Sequence, residues 1–293
     1  MSSSDSPFHF KARVLHLIRS WFHERGYLEV HTPALVPSPA MEANLYAFSL
    51  NGLFLRTSPE FALKKVAACQ LGRIYEIGPC FRAEEAGKWH RAEFTMLEWY
   101  RAGADMWSLM DEVELLIEAL CLGLDITSPK HWTRISVHEL FLKYTGIDLT
   151  TATTRVLSSQ EDTWENAFFR RWVEDIEPHL AEPTFVHSWP ASQAALAQVR
   201  TDGEWPTAQR FEVFFKGIEL GNAFLELIDA DDQRARFSEE QSKQQDKGVP
   251  MHPIDQELCD AVGTMPPTSG IAIGFDRLVA LLAGSDGLDD FST

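Results

Sequence analysis

Two pairs of strand-like segments, each pair joined by no more than nine residues, constrain the fold of this chain more than any other feature. The first pair covers residues 74–82 and 92–101, and the second covers 211–215 and 218–228. Strands joined this closely pair antiparallel, because a parallel pair needs a crossover connection of a dozen or more residues. Helical patterns stand between these pairs without regular βαβ alternation. The sequence therefore predicts an α+β fold with an antiparallel β-sheet flanked by helices.

The chain is strongly acidic, since its 293 residues carry a formal net charge of −17 at pH 7. A protein that binds a nucleic-acid backbone needs a basic surface, so this charge disfavours tRNA as a partner. An acidic field instead attracts a basic partner. The sequence has no run of about 18 apolar residues that would span a membrane, and its N-terminus does not resemble a signal peptide. We therefore expect a cytoplasmic protein without a membrane segment.

The N-terminal residues and the cysteines bear on domain organisation. Residues 1–7 are polar and rich in serine, and we expect them to form a disordered leader. The four cysteines are far apart and form no CxxC pair, which disfavours a disulfide framework or a zinc site. The expectation is one domain over residues 8–293 with reduced thiols.

The first candidate site lies on the hairpin of residues 80–100, CFRAEEAGKWHRAEFTMLEWY. Strand alternation places four side chains on one face: Phe94, Met96, Glu98 and Tyr100. This face is a poor core pattern and is typical of a ligand site, although a half-exposed hairpin with incidental charges remains open. The fork of donors on Arg82 suits a phosphate. His90, in the hairpin tip, is either part of this site or a solvated loop side chain.

The second candidate site lies on the hairpin of residues 210–230. If Lys216-Gly217 forms the turn, Glu212 and Glu219 lie diagonally on one face, close enough for one divalent cation. Mg²⁺ is the expected cation because it uses one or two carboxylates together with substrate phosphates. Two solvated surface glutamates are the alternative. Glu226 shares this face only if a bulge resets the alternation, and the sequence places that bulge at Gly221.

The third candidate site lies in residues 269–284. Small residues alternate at Gly270, Ala272 and Gly274, so one face of the strand leaves room for a ligand. Arg277 follows at the start of an apolar helix, where an anion is favoured. Close packing of the helix on the sheet through glycine explains the same pattern.

These segments, taken together, resemble class II aminoacyl-tRNA synthetases. Residues 25–35 (RGYLEVHTPAL) look like motif 1, the hairpin looks like motif 2, and GIAIGFDRLVALL looks like motif 3. The segments TSPEFALKK (57–65) and GIELGNAFLELIDA (217–230) are most similar to the lysyl enzymes. With motif 1 starting at residue 25, no N-terminal anticodon-binding domain is expected. Residues 184–198 resemble the stand-alone paralogues that attach (R)-β-lysine to elongation factor P.

The resemblance implies roles for residues of an ATP site. Arg82 would hold the α-phosphate and Arg277 the γ-phosphate, and these two are the catalytic candidates. Glu84 would accept from the adenine amine, and Phe94 would stack on the ring. The remaining ATP contacts implied are Ala83, His90, Arg91, Glu219, Leu220 and Gly274, with Mg²⁺ on Glu212 and Glu219. Related enzymes more often have asparagine at the position of Arg91, which leaves open whether Arg91 contacts adenine or phosphate.

An amino-acid pocket is implied as well. It would be lined by Ser58, Pro59, Glu60, Glu98, Tyr100, Asn222, Glu226 and Ala272. Its three carboxylates repel one another unless cations balance them, and a β-lysine supplies two ammonium groups. No arginine or lysine is expected among the pocket side chains. Ala272 replaces a glycine of the lysyl-tRNA synthetases, and its methyl group would select an amine displaced by one carbon by roughly 10- to 200-fold.

The resemblance implies an AMP-forming, ATP-dependent ligase that activates (R)-β-lysine and transfers it to a lysine ε-amine of elongation factor P. Motif 1 implies a homodimer. One alternative is a truncated lysyl-tRNA synthetase that charges tRNA with α-lysine. Another is a catalytically silent regulatory module, which should have lost phosphate or metal ligands that this chain retains: Arg82, Glu84, Glu219 and Arg277.

Overall fold

The computed structural model describes most of the chain: residues 6–41, 45–83, 85–158, 163–248 and 251–291. The chain divides into two compact units. The first comprises Met1–Ser128 and Glu226–Thr293, and the second comprises Pro129–Leu225. The prediction of a single domain over residues 8–293 stays a prediction.

The α-helices of the described residues are, in chain order, α1 (Pro7–Glu24), α2 (Glu60–Ala68), α3 (Met106–Leu124), α4 (Val137–Thr145), α5 (Thr154–Leu157), α6 (Trp164–Arg171), α7 (Ala230–Asp246), α8 (Gln256–Val262) and α9 (Phe275–Ala283). A π-helical turn, Trp172–Ile176, continues α6. Short 3₁₀ turns lie at Glu177–His179, Ala191–Gln193 and Asp289–Phe291.

The strands of the described residues are β1 (Leu28–Glu29), β2 (Leu35–Val36), β3 (Ser49–Leu50), β4 (Leu53–Leu55), β5 (Arg73–Phe81), β6 (Glu93–Ala102), β7 (Thr133–Ser136), β8 (Thr184–Pro190), β9 (Val199–Arg200), β10 (Thr207–Phe215), β11 (Ile218–Leu225) and β12 (Thr268–Gly274). Helices and paired strands thus occur together, and the α+β class is confirmed.

The sheet of the first unit has the strand order β1-β5-β6-β12. The hairpin β5–β6 is antiparallel, as predicted, and the pair β6–β12 is antiparallel too, whereas the short β1 runs parallel to β5. Register places Glu98 of β6 between Glu76 of β5 and Ala272 of β12. The side chains of one sheet face therefore come from all three long strands. A second, small sheet has the order β2-β4-β3.

Helix α1 covers part of this unit with its apolar stripe. Val14, Ile18 and Phe22 are fully buried, as the spacing of an amphipathic helix predicts. The helix begins earlier than the predicted leader allows. Residues 1–5 of that leader lie outside the described residues, but the Ser6 hydroxyl accepts a hydrogen bond from the Phe8 amide and Pro7 is the first helical residue. A serine cap and a proline at the first position are a helix start.

In the second unit the strand order is β11-β10-β8-β7, with β9 beside β10. Strands β7 and β8 are parallel and the other pairs are antiparallel. Its core is aromatic and is formed by helices α4 to α6, the π-turn and the inner face of the strands, including Phe141, Phe168, Trp172, Trp189 and Phe214.

The β10–β11 hairpin turns at Lys216-Gly217, as predicted. Both residues have positive φ, 53° and 78°, which is the backbone of a two-residue type I′ turn. The bulge, however, lies one residue before the predicted position. Gly221 pairs with Val213 and Glu219 pairs with Phe214, so Leu220 is the additional residue. Gly221 itself is paired regularly, opposite Val213 of β10.

No helix in the described part of the chain is both long and apolar enough to cross a membrane. All four cysteines lie within the described residues and form no disulfide; Cys69 is exposed and Cys80, Cys121 and Cys259 are buried.

Candidate active site

The centre of the candidate amino-acid pocket is Glu98, which is 1% exposed on strand β6. Its two carboxylate oxygens accept hydrogen bonds from different elements. The Tyr100 hydroxyl donates to Oε1 over 2.7 Å, and the Ser58 hydroxyl donates to Oε2 over 2.8 Å. Tyr100 lies two residues away on the same strand, so alternation aims both side chains to one face.

Burial makes Glu98 an unusual acid. Loss of hydration, and then repulsion from Glu60, raise the pKa of Glu98 to about 8, although the hydroxyls of Tyr100 and Ser58 oppose this shift. Burial, and then the charge of Glu98, likewise raise the pKa of Tyr100 well above its ordinary value. At neutral pH the pocket therefore holds a proton that a bound cation would displace.

A second acidic group lies beside Glu98 and is formed by Glu60 and Glu226. Glu60 is the first residue of α2, and Glu226 is fully buried. The ammonium group of Lys64, itself fully buried, lies 2.6 Å from Glu60 Oε1 and 2.7 Å from Glu226 Oε2. Besides burial, the charges of Glu98, Glu226 and Glu60 all raise the pKa of Tyr100. The structure thus brings the three predicted pocket carboxylates into one cluster.

Lys64 corrects the expectation that no basic side chain enters the pocket. The resemblance does not assign Lys64 to the pocket, although this residue stands in the segment TSPEFALKK. The spacing of Glu60 and Lys64, i and i+4 on a helix, was the available signal. The structure adds what the sequence does not show, namely that this pair is buried and shared with Glu226.

The charges of this group depend on one another. Burial raises the pKa of Glu226 to about 7, while the Lys64 ammonium opposes the shift and Glu60 adds to it. Burial alone would lower the pKa of Lys64, but the carboxylates of Glu226 and Glu60 outweigh it and raise that pKa above its ordinary value. Lys64 therefore stays charged, and a buried charge of this kind is tolerated only with such partners.

Strand β12 provides the smooth side of the pocket. Gly270 pairs with Tyr100, and Ala272 pairs with Glu98. A Cβ atom at Gly270 would lie 2.6 Å from Glu226 Oε1 and would also clash with the Tyr100 ring. Glycine is required here because the two side chains close over it. Gly270, Ala272 and Gly274 share one face of this strand, as their alternation predicts, and the register places the Ala272 methyl group directly beside Glu98.

The two phosphate-binding candidates both lie in the first unit. Arg82 donates from Nε to the Thr57 carbonyl over 3.2 Å, and its guanidinium carbon lies 5.1 Å from the centre of the Phe94 ring. Since Thr57 precedes Ser58, this arginine lies next to the segment that holds Glu98. Arg82 also forms an ion pair of 3.3 Å with Glu85.

Arg277 lies in the first turn of α9 and contacts the tip of the β5–β6 hairpin. Its Nε donates to the Trp89 carbonyl, and its Nη2 lies 2.5 Å from His90 Nε2. Gly274, one strand residue before the helix, leaves the aliphatic part of Arg277 in ordinary contact, because a Cβ atom there would lie 3.4 Å from Arg277 Cδ. His90 and Gly274 are therefore grouped with Arg277.

The other ATP candidates of this unit have local partners. The Ala83 amide donates to the Tyr46 carbonyl over 2.7 Å. The Arg91 guanidinium donates to the His90 carbonyl over 2.8 Å and pairs with Asp289. Glu84 lies outside the described residues. Pro59, predicted in the amino-acid pocket, is the buried cap residue of α2 and places Glu60 at the helix start.

The metal-binding candidates lie in the second unit. Glu212 is 6% exposed, and burial followed by the charge of Glu219 raises the pKa of Glu212 to about 8. Arg210 opposes this shift, since its Nη2 lies 2.6 Å from Glu212 Oε1. Two repelling carboxylates on one hairpin face fit a divalent cation that would draw its other ligands from substrate phosphates. Within the described residues, no cluster of three or more acidic, histidine or cysteine ligands is found.

The last two candidates belong to the same hairpin. Asn222 pairs with Glu212 in the ladder, and its side-chain oxygen accepts from Arg210 Nε over 3.2 Å. Leu220 is buried and is the bulge residue beside Glu219. Because of this bulge, Glu219 and Asn222 both lie on the strand face that carries Glu212.

Comparison with known proteins agrees with these motifs. The family described as tRNA synthetases class II (D, K and N) matches residues 2–292. A protein of Yersinia enterocolitica named elongation factor P--(R)-beta-lysine ligase is 40% identical over 96% of this chain and 92% of its own length. Proteins of the same name from Proteus mirabilis and Salmonella typhi are each 38% identical with the same coverage. The chain therefore belongs to the class II tRNA synthetase family of the D, K and N type.

Proposed function

We propose that this chain activates (R)-β-lysine with ATP and transfers it to a lysine ε-amine of elongation factor P. The names of relatives at 37–40% identity support the reaction. The observation that carries it is the charge of the pocket. Three carboxylates and one ammonium, Glu60, Glu98, Glu226 and Lys64, leave two net negative charges when all are ionised, which matches the two ammonium groups of a diamine.

In the first step a carboxylate oxygen of the amino acid attacks the α-phosphorus of ATP. The bond from the α-phosphorus to the bridging oxygen breaks, pyrophosphate leaves, and an aminoacyl-adenylate remains. Such a displacement needs positioning and charge stabilisation more than covalent help from the protein. Arg82 would stabilise charge at the α-phosphate from its place beside Ser58 and Glu98, and Arg277 would bind the γ-phosphate.

Class II synthetase ligases use ATP and typically Mg²⁺. Glu212 and Glu219 would hold the metal ion here, and the metal would supply positive charge to the phosphate oxygens. Their mutual repulsion supports this assignment, because the raised pKa of Glu212 means that a nearby cation is favoured. Phe94 beside Arg82 would stack on the adenine ring.

In the second step the uncharged ε-amine of the acceptor lysine attacks the carbonyl carbon of the adenylate. An amide bond forms, the bond from that carbon to the phosphate oxygen breaks, and AMP leaves with the electron pair. The amine proton is lost to solvent or to a base on either protein. The net charge of −17 favours a basic docking partner and disfavours tRNA, and the reaction would take place in the cytoplasm.

The small sheet supports a homodimer. Register places four apolar side chains on one of its faces, and each is more than a third exposed: Leu35, Phe48, Leu50 and Leu53. A contiguous exposed apolar face of this kind marks an interaction surface. It includes Leu35, the last residue of the segment that resembles motif 1, which is a dimer element in these synthetases, so a second copy of the chain is the proposed occupant.

ATP–pyrophosphate exchange tests the function. We expect exchange that depends on (R)-β-lysine and on Mg²⁺, with α-lysine used more weakly and no stimulation by tRNA. Preference for α-lysine together with tRNA charging would instead support a truncated lysyl-tRNA synthetase. The absence of exchange with every amino acid would support a silent module and would overturn the proposal.

A further inference from the structure

We propose that Lys64 is a positioning residue of the amino-acid pocket, an internal counter-cation that holds Glu60 and Glu226 together in charged form and so sets the number of substrate ammonium groups that the pocket accepts. This inference rests on the proposed function for the identity of the substrate. It concerns a residue that the likeness to synthetases did not point out, and it is carried by the buried ion-pair geometry.

The Lys64 ammonium lies in a buried position between two carboxylates of the pocket. It lies within 2.7 Å of one carboxylate from α2 and of another that follows β11 in sequence. Lys64 is fully buried, whereas the next residue, Lys65, is partly exposed and forms ion pairs with Asp255 and Glu257. Burial removes the hydration of a lysine ammonium, and such a place is tolerated only where its partners compensate for that loss. Its burial between two carboxylates of the pocket indicates that the arrangement of those carboxylates depends on it.

Lys64 also changes the net charge of the pocket. The titratable and charged groups of this cluster are Glu60, Glu98, Tyr100, Glu226 and Lys64. Without the lysine the three carboxylates would give a net charge of minus three when ionised, and protonation would relieve the repulsion. Lys64 opposes the rise in pKa of both Glu226 and Glu98. With it, the fully ionised pocket is neutralised by two substrate ammonium groups and not by three.

Through Glu226, Lys64 also affects the space over strand β12. The Lys64 ammonium lies on Glu226, and Glu226 Oε1 lies 2.6 Å from the Cβ position of Gly270. A change in the position of Glu226 would therefore alter the space over strand β12 where the ligand is placed. Lys64 acts on the substrate through these carboxylates and not by direct contact.

A titration of the ligand-free protein tests the proposal without reference to activity. Carboxyl ¹³C NMR would follow Glu226, assigned by comparison with Glu226→Gln. We expect Lys64→Met to move the Glu226 midpoint upward by about one pH unit or more, and Lys64→Arg to move it much less. The control Lys65→Met, which removes the neighbouring lysine that pairs with Asp255 and Glu257, should leave it in place. An unchanged midpoint in Lys64→Met would overturn the proposal.

Exchange kinetics provide the second measurement. In Lys64→Met we expect the KM for (R)-β-lysine to rise about tenfold or more with a much smaller change in kcat, and the acidic limb of kcat/KM to move to higher pH. Lys64→Arg should restore most of both. A loss confined to kcat, or an unshifted pH profile, contradicts the assignment. If the unmodified chain shows no exchange with (R)-β-lysine, the proposed function fails, whereas the titration still decides the role of Lys64.

A charge-balanced variant covers the case in which Lys64→Met does not fold. Lys64→Met/Glu226→Gln removes both charges of one ion pair and is compared with Glu226→Gln alone. The further loss of Lys64 should then raise the Glu98 midpoint and the KM. Equal values in the single and double variants would count against the proposal.

Discussion

At the scale of single residues, burial in the pocket makes the charged form of Glu98 unfavourable in the folded protein. Glu98 is almost completely buried and its pKa rises to about 8, whereas an unfolded glutamate titrates near 4.5. The folded state thus binds the Glu98 proton more tightly than the unfolded state does. Between these two pH values the free energy of unfolding falls as pH rises, because charging Glu98 is harder in the folded protein.

Replacement of Glu98 by glutamine should remove this pH-dependent penalty. Relative to the unmodified chain, Glu98→Gln is expected to gain thermal stability as the pH rises from about 4 to about 8, with little gain at the acidic end, where Glu98 is protonated in most folded and unfolded molecules. Melting temperatures measured across that range in the absence of substrate provide the test. A difference that does not change with pH would show that Glu98 is not the source of the penalty.

Ala272 is the residue proposed to distinguish the two lysine isomers. Its Cα is paired with that of Glu98, so its methyl group occupies the face on which the substrate amine would lie. Ala272→Gly should lower the preference for (R)-β-lysine over α-lysine, within the range of roughly 10- to 200-fold that one methyl group provides. Exchange kinetics with each isomer would measure this ratio. A ratio that does not fall assigns the selection to another residue.

At the scale of elements, antiparallel strands carry most of the candidate site. Both hairpins and the Lys216-Gly217 turn were predictable, because alternation and turn composition are local properties of the sequence. The bulge at Leu220 was not, since its position depends on how β11 fits its neighbours and not on the location of a glycine. Lys64 was missed for a similar reason, because its burial is set by Glu226, distant in sequence.

The turn of the β10–β11 hairpin fixes the register that places Glu212 near Glu219. Gly217 has a φ of 78°, which side chains with a Cβ atom rarely adopt. Gly217→Val is therefore expected to cost about 1–2 kcal/mol in the free energy of unfolding and to weaken the dependence of exchange on Mg²⁺. Gly203→Ala in the same unit is the matched control, because a Cβ atom there meets only an ordinary contact of 3.8 Å. Equal stability of the two variants would refute this role of the turn.

At the scale of the whole molecule, the chain combines an acidic surface with an exposed apolar sheet face. The net charge follows directly from the sequence, whereas the apolar face follows only from the register of three short strands. Short strands of two or three residues have too little periodicity to be recognised from sequence. The class II resemblance predicted a dimer, and the small sheet indicates the surface that would form it.

A charge placed on the small sheet should therefore prevent dimerisation. Leu50 is 53% exposed and pairs with Leu53, so Leu50→Asp would place a carboxylate on the exposed apolar face of the proposed contact. We expect a dimer for the unmodified chain and a monomer for Leu50→Asp by light scattering after size exclusion. Leu122→Asp, at an 83% exposed position on α3, should remain dimeric. A dimer that persists in Leu50→Asp would locate the interface elsewhere.

Calorimetric titration of the unmodified chain with (R)-β-lysine tests most directly whether the acidic cluster receives a diamine. Two entering ammonium groups should lower the pKa of Glu98 and Glu226, which lie near 8 and 7 in the ligand-free protein. Binding near pH 7 should therefore release protons, detected as a heat that varies with the ionisation enthalpy of the buffer, and the release should shrink above pH 9 and in Glu98→Gln. Binding without proton release, or with proton uptake, would contradict the account.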